Sequence, residues 1–393
     1  MKRCNAVLAH RFLVTTALAL LTGVVVDAGE RATAPREVMT AAVVVPEPPK
    51  PAPPPPAIQV AAKPTFDEST FDGWLAAFRY DAHEAGVSNA TLARELDGLT
   101  EDPTAIALDR AQPDRTAVSP LLFADYRAKQ LRQPRINAGR RLASDLSATL
   151  SSLEVQYGVP REILLAIWGI ETSYGAVPGG SDVVRSLATL AYEGRRRDFF
   201  TAELIAALKM IDAGMTDRAT LVGSWAGATG QSQFMPTSYF AHAADGDGDG
   251  RADIWGSQAD TLASIASYFV GKGWQTGEPW AVAATVPAAL DRERVRELTP
   301  VTECAGLGWR HSRWLTLREW RELGVETTGA MLPDDKLATL IEPDGPDGAA
   351  FLTFANYRPI MRYNCSNYYA LTVGQLADAI AVERLPKTRL AAR

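Results

Sequence analysis

Residues 163–175 read Ile-Leu-Leu-Ala-Ile-Trp-Gly-Ile-Glu-Thr-Ser-Tyr-Gly. The first eight carry no charge, so the helix they predict is apolar on every face and belongs in a core. Glu171 stands at the C-terminal end of that helix, beside Trp168 and Ile170. Desolvation and the negative end of the helix dipole both disfavour its ionised form and raise its pKa. An acid kept protonated near neutrality can donate a proton to a glycosidic oxygen. The same position also suits a buried structural acid paired with an arginine, and this stretch alone leaves both readings open.

On either side the pattern stays helical. Leu142, Leu146, Leu150 and Leu153 predict a helix over 137–157, which Tyr157-Gly158-Val159-Pro160 ends, with Pro160 in the first turn of the next helix. The two helices are expected to run antiparallel. Phe71, Trp74, Leu75 and Phe78 predict another helix that stops near Gly86. Ala370, Val373, Ala377 and Ile380 predict a last one, with Ser366 as its cap, that closes the core. The short apolar runs 281–286, 337–341 and 351–354 lie between Gly, Pro and Asp clusters and read as strands. The expected fold is mainly α, of the α+β class: a helical region over 66–280, a small β-containing insertion over 281–355, and a C-terminal helix over 356–385 that completes the helical domain.

The chain has 393 residues, 47% hydrophobic and 22% charged, which excludes disorder for most of its length. A net charge of -6 offers no broad basic field, so nucleic acid is not an expected partner. Lys2, Arg3 and Arg11 precede an uncharged apolar stretch over 12–26, and Val26-Asp27-Ala28 suits signal peptidase. Residues 1–28 therefore read as a signal peptide, with an uncleaved anchor as the alternative, and the expected location is the periplasm or cell envelope. Cys4 lies too early for lipid attachment at a processed cysteine. Residues 46–56 hold 8 prolines in 11 positions, so 29–65 reads as a flexible, proline-rich linker, either a tether or an unstructured tail. After the signal peptide only Cys304 and Cys365 remain. An even pair in an oxidising compartment predicts a disulfide, with two buried free thiols as the other reading.

A second motif, residues 224–236, reads Ser-Trp-Ala-Gly-Ala-Thr-Gly-Gln-Ser-Gln-Phe-Met-Pro. Small residues expose the backbone while hydroxyls and amides supply donors, a combination that suits sugar hydroxyls and N-acetyl groups. A phosphate loop is disfavoured, because no Lys-Ser/Thr pair follows the glycines and no strand precedes them. A plain turn-rich connection remains open. The four histidines, His10, His83, His242 and His311, show no zinc-ligand spacing, and no nucleophile elbow or cysteine-histidine signature occurs.

Together the two motifs resemble the lytic murein transglycosylases of the membrane-bound B type. The resemblance extends to Asn356-Tyr357-Arg358-Pro359-Ile360-Met361-Arg362-Tyr363-Asn364-Cys365-Ser366 with Tyr369-Ala370-Leu371, and to Leu108-Asp109-Arg110-Ala111-Gln112-Pro113. It runs from about residue 66 to 380. It implies a lysozyme-like helical fold and cleavage of the β-1,4 bond between N-acetylmuramic acid and N-acetylglucosamine in peptidoglycan. Glu171 is then the single acid/base, and Ser224, Gln233, Tyr268, Tyr363, Asn364 and Tyr369 line the glycan cleft. Glycosidases ordinarily use two carboxylates. In the family's route the substrate's N-acetyl oxygen stabilises the cationic centre, and Glu171 then activates the muramyl 6-hydroxyl, giving a 1,6-anhydro end without water. No cofactor is implied for this chemistry. The implied partners are glycan strands and envelope protein complexes, with the enzyme a monomer. The alternatives are a hydrolytic muramidase, for which no motif places a second acid, and a non-catalytic peptidoglycan-binding protein.

Asp245, Asp247 and Asp249, followed by Gly250, match the opening of a calcium loop. Position twelve, ordinarily glutamate, is Gly256, and the family's closing acid corresponds to Asp260 across a one-residue insertion. The expectation is a structural calcium held by Asp245, Asp247, Asp249 and Asp260, against a plain acidic turn.

Overall fold

The computed structural model describes residues 64–112, 121–297, 304, 311–329 and 331–381. The signal peptide, all of the linker but its last two residues, and Pro113 lie outside the described residues. Fourteen helices are described: α1 (Phe71–Glu84), α2 (Asn89–Leu96), α3 (Pro103–Arg110), α4 (Phe123–Gln130), α5 (Gln133–Asp145), α6 (Ser147–Tyr157), α7 (Arg161–Thr172), α8 (Val183–Glu193), α9 (Arg197–Asp212), α10 (Pro236–His242), α11 (Gln258–Gly271), α12 (Leu317–Glu322), α13 (Tyr357–Asn364) and α14 (Asn367–Ala381). Seven strands accompany them: β1 (Ser181–Asp182), β2 (Val222–Gly223), β3 (Ala281–Thr285), β4 (Leu315–Thr316), β5 (Glu326–Thr327), β6 (Leu337–Ile341) and β7 (Ala350–Thr353).

The caps follow from the sequence. Thr70 accepts from Gly73 N to start α1. Asp102 caps α3 ahead of Pro103. Thr316 and Glu319 form a reciprocal capping box on α12, which satisfies two otherwise orphaned backbone donors. Pro160 is the residue before α7 rather than a member of its first turn.

The 137–157 helix is two helices. α5 begins earlier, at Gln133, and hands over to α6 at Leu146, whose ψ of 22° departs from the helical value. Ser144, Asp145 and Ser147 surround this break, and their short polar side chains compete with the helical backbone for hydrogen bonds. The C-terminal helix also divides, because Cys365 adopts φ 43° and turns the chain between α13 and α14. Cys365 is joined there to Cys304, with Cα atoms 5.1 Å apart.

α7 is the axis of the body. From Ile163 to Trp168 no residue is more than 3% exposed. Burying that many large apolar side chains contributes on the order of 10 kcal/mol before chain entropy is charged against it. α5, α6, α11, α13 and α14 pack against it in one core. A second core joins α1, α2, α8, α9 and α10. Gly139 lets α5 come close: a Cβ there would lie 2.5 Å from the Tyr174 hydroxyl and 2.6 Å from Ile380 Cδ1.

The other five strands form one antiparallel sheet in the order β4-β6-β7-β3-β5. Val282 lies opposite Leu352, and Leu340 opposite Leu352 on its other side. One face covers Trp320, Leu290, Val295 and Phe354 in a third core. β1 and β2, which the apolar runs did not announce, pair at Ser181–Gly223 and Asp182–Val222 and hold the start of the 224–236 loop beside α8.

Candidate active site

Glu171 sits in the last turn of α7. Beyond it the backbone turns left-handed at three consecutive residues, Ser173 (φ 52°), Tyr174 (φ 62°) and Gly175 (φ 84°). Two of these are not glycine, a costly conformation that packing must hold in place. Tyr174 N donates to Trp168 O at 3.2 Å, and Gly175 N donates to the Thr172 hydroxyl at 3.0 Å. The Tyr174 ring folds back over Gly169, where a Cβ would lie 2.6 Å from its Cζ. Its hydroxyl donates to Arg135 O at 2.9 Å, pinning the end of α7 to α5.

Tyr369, in the first turn of α14, donates its hydroxyl to Glu171 Oε1 at 2.5 Å. Burial pushes the Glu171 carboxyl up to about 7, and the Tyr369 hydrogen bond, which favours the ionised form, pulls the other way. The acid is thus poised between its two protonation states near neutrality. Arginine pairing is not what sets it. Burial, together with the nearby Glu171 charge, holds the hydroxyls of Tyr363 and Tyr369 well above the ordinary tyrosine range, so both remain donors.

An aromatic wall continues from Tyr369. Its ring stacks with that of Tyr363, with centroids 6.4 Å apart, and Tyr363 meets Tyr268 edge-on at 4.7 Å. Phe234 packs on both Tyr268 and Tyr363. The Tyr363 hydroxyl donates to Ser232 O at 2.8 Å, which joins α13 to the 224–236 loop. Tyr268 is buried in this cluster.

The loop's two expected sugar-binding side chains are engaged within their own neighbourhood. Ser224 Oγ accepts from Ala228 N at 3.1 Å. Gln233, at φ 52°, donates from Nε2 to Pro178 O and Gly230 O at 2.8 and 3.0 Å. Asn364 is exposed at the end of α13. Direct contacts therefore gather Glu171, Tyr369, Tyr363 and Tyr268, while Ser224 and Gln233 join them through the loop and Asn364 through its neighbour Tyr363.

Tyr126 of α4 joins the site without having been expected there. Its hydroxyl is pushed up by burial and by the charge of Glu171, and it packs against Tyr368 with centroids 5.9 Å apart. It stands in a short, polar helix that gives no periodic signal. Gln231 is likewise unmarked in the sequence, one more polar residue among several in its loop.

In the acidic loop, oxygens of Asp245, Asp247 and Asp260 lie within 4.8 Å of one another. Asp249 does not join them. Its Oδ1 accepts from Arg251 N at 2.8 Å, a local turn that points the carboxylate along its own backbone. Asp260 is fully buried and accepts from Gly246 N and Asp253 N, both at 2.7 Å, so it fastens the loop to α11. Three converging carboxylates are a donor set suited to a hard divalent cation.

Residues 70–378 match the transglycosylase SLT domain family. The chain belongs to this family. It is a lytic transglycosylase, and it has the lysozyme-like helical architecture of its relatives. It is 32% identical over 262 residues to membrane-bound lytic murein transglycosylase B of Escherichia coli K12, covering 66% of this chain and 68% of that one. The structure of SltB3 from Pseudomonas aeruginosa in complex with NAG-anhNAM-pentapeptide is 39% identical, with a TM-score of 0.70 over 79% of this chain and 80% of that chain. The Escherichia coli lytic transglycosylase Slt35 in complex with calcium is 28% identical, with a TM-score of 0.66 over 79% of this chain and 93% of that chain.

Proposed function

We propose that Glu171 is the single acid/base with which this lytic transglycosylase cleaves the bond between N-acetylmuramic acid and N-acetylglucosamine in peptidoglycan glycan strands. The observation that carries the reading is the poise of Glu171: a carboxyl pushed up to about 7 and held in orientation by the Tyr369 hydroxyl. Protonated, it donates to the departing glycosidic oxygen. Ionised, it is within the basicity range to take the proton of the muramyl 6-hydroxyl as that oxygen closes on C1. The nucleophile is part of the substrate, so its effective concentration far exceeds that of an external one, and the product is a 1,6-anhydro end. Tyr363, Tyr268, Ser224, Gln233 and Asn364 are assigned to the walls of the glycan cleft. The peptidoglycan fragment bound by the Pseudomonas relative supports this substrate.

The experiment is mass spectrometry of muropeptides released from purified sacculi, with Glu171→Gln in parallel. The expected products are lighter by one water than hydrolysis products, and the variant releases less than about a thousandth as much. Reducing ends would make the enzyme a hydrolase. Retention on sacculi with no release by the wild type would make it a binding protein.

We assign a structural calcium to Asp245, Asp247 and Asp260, supported by their convergence and by the calcium-bound relative. Its contribution would be to neutralise three carboxylates that otherwise repel one another. Calcium is expected to raise the melting temperature of the wild type and to leave Asp260→Asn unmoved; an unshifted wild type removes the ion from the account. The relative's name places that protein at a membrane. Among the described residues no helix is long and apolar enough to cross one. Export by residues 1–28 to the envelope, with 29–65 as the tether, is the corresponding proposal for this chain.

A further inference from the structure

We propose that Gln231 is a positioning residue for Glu171, fastening the end of the catalytic helix to the segment that follows the acidic loop. The inference rests on the reading of Glu171 as the acid/base.

Gln231 is 8% exposed, and each of its four polar groups is engaged with a different residue. Its backbone N–H donates to Ile254 O at 2.8 Å, and its Nε2 donates to Trp255 O at 2.9 Å. Its Oε1 accepts from the Trp168 indole at 3.1 Å, and its carbonyl accepts from the Thr172 hydroxyl at 2.8 Å. Trp168 and Thr172 are both fully buried and flank Glu171 by three residues and one. Gln231 therefore grips the last turn of α7 on either side of the acid.

The far side of the grip is equally fixed. Asp253 N donates to the buried Asp260 at 2.7 Å, and Asp253 Oδ1 accepts from Trp255 N at 3.0 Å, which holds the Ile254 and Trp255 carbonyls where Gln231 meets them. The Trp255 indole donates to Thr229 Oγ1 at 2.9 Å, closing the circuit back into the sugar-binding loop. The chain after the acid must pass close to this amide. A Cβ on Gly175 would lie 2.2 Å from Gln231 Oε1, so glycine there serves contact as well as its φ of 84°. Buried amides whose groups are all satisfied hold one geometry, because any displacement leaves several polar groups unpaired at once.

The test is the pH dependence of kcat and KM on soluble glycan strands for Gln231→Met, which keeps the volume and removes the amide. Thr172→Val releases the same grip from the helix side, and Glu171→Gln runs alongside. With the grip released, water reaches Glu171 and its carboxyl falls back toward the ordinary range. The basic limb of the kcat/KM profile is expected to move down by about half a unit, with kcat lower by about tenfold and KM within about twofold. A variant with the wild-type near-ultraviolet circular dichroism, a lower melting temperature, and an unmoved limb and kcat would overturn the proposal. If only one variant folds, that one decides. Failure of both to fold assigns the pair to the general framework and also overturns it. Full activity in Glu171→Gln would instead sink the reading on which the inference rests.

Discussion

The hydroxyl of Tyr369 acts on Glu171 in a direction that can be checked. Its hydrogen bond favours the carboxylate, so Tyr369→Phe leaves burial unopposed and raises the acid's pKa further. A hydrogen bond to a charged group is worth about 1.5–3 kcal/mol, on the order of one pKa unit or more. The basic limb of the kcat/KM profile is expected to move up by about one unit, and kcat to fall by about tenfold because the acid loses its orientation. A limb that stays or moves down would show that Tyr369 does not tune Glu171. The acid itself was legible in the sequence because its environment is local: the uncharged stretch 163–170 before it and a Trp one turn earlier. Tyr126 was not legible, because what brings it to the acid is the packing of α4 against distant residues rather than any pattern within Phe123–Gln130.

The end of α7 depends on a single missing methyl group. Gly169 faces the Tyr174 ring, with Cζ 2.6 Å and Cε1 2.8 Å from where a Cβ would stand. The ring is held where it is, since its hydroxyl donates to Arg135 O at 2.9 Å. Gly169→Ala is expected to cost about 2 kcal/mol, read as a lower denaturant midpoint, together with lost activity. An unchanged midpoint would mean that the turn after Glu171 is softer than its contacts imply. At this scale the strands were readable, since runs of large apolar residues between turn formers leave little else to build. The break at Leu146 was not. Leucines at the helical spacing continue straight through it, and only the serines and Asp145 around them hint that the backbone has other partners. Asp249 shows the same limit: its spacing fits a cation loop, yet its nearest donor is a backbone N–H two residues on.

Over the whole molecule, the raised carboxyl of Glu171 has a cost in stability. Its pKa is higher in the folded chain than the ordinary glutamate value of 4.5, so the folded state prefers it protonated. The associated stability is fully present below about pH 4.5 and is lost as the pH rises through about 7. The amide that Glu171→Gln puts in its place does not titrate. The stability of that variant relative to wild type is therefore expected to rise between those two values and level off above them, by on the order of 2 kcal/mol once partial exposure is allowed for. Thermal unfolding at pH 4.5 and pH 8 measures it, and a difference that does not change with pH would contradict the burial ascribed to the acid. The helical body and the small sheet were readable at this scale, and so was the pairing of two distant segments in one resemblance. The circuit through Gln231 was not, because its partners are drawn from 168, 172, 254 and 255 and no stretch of sequence contains them together.

Glu171 and Tyr369 stand 198 positions apart along the chain. A polypeptide made from its N-terminus completes its acid long before the hydroxyl that orients it, and α14 is the last helix described. Until α14 is made, the growing chain holds that carboxyl without its orienting hydroxyl, and the aromatic wall of Phe234, Tyr268 and Tyr363 without the ring that brings it to the acid. The acid is thus present along the chain well before it is oriented, and among the described residues the hydroxyl that aims it is one of the last parts of the site to be added.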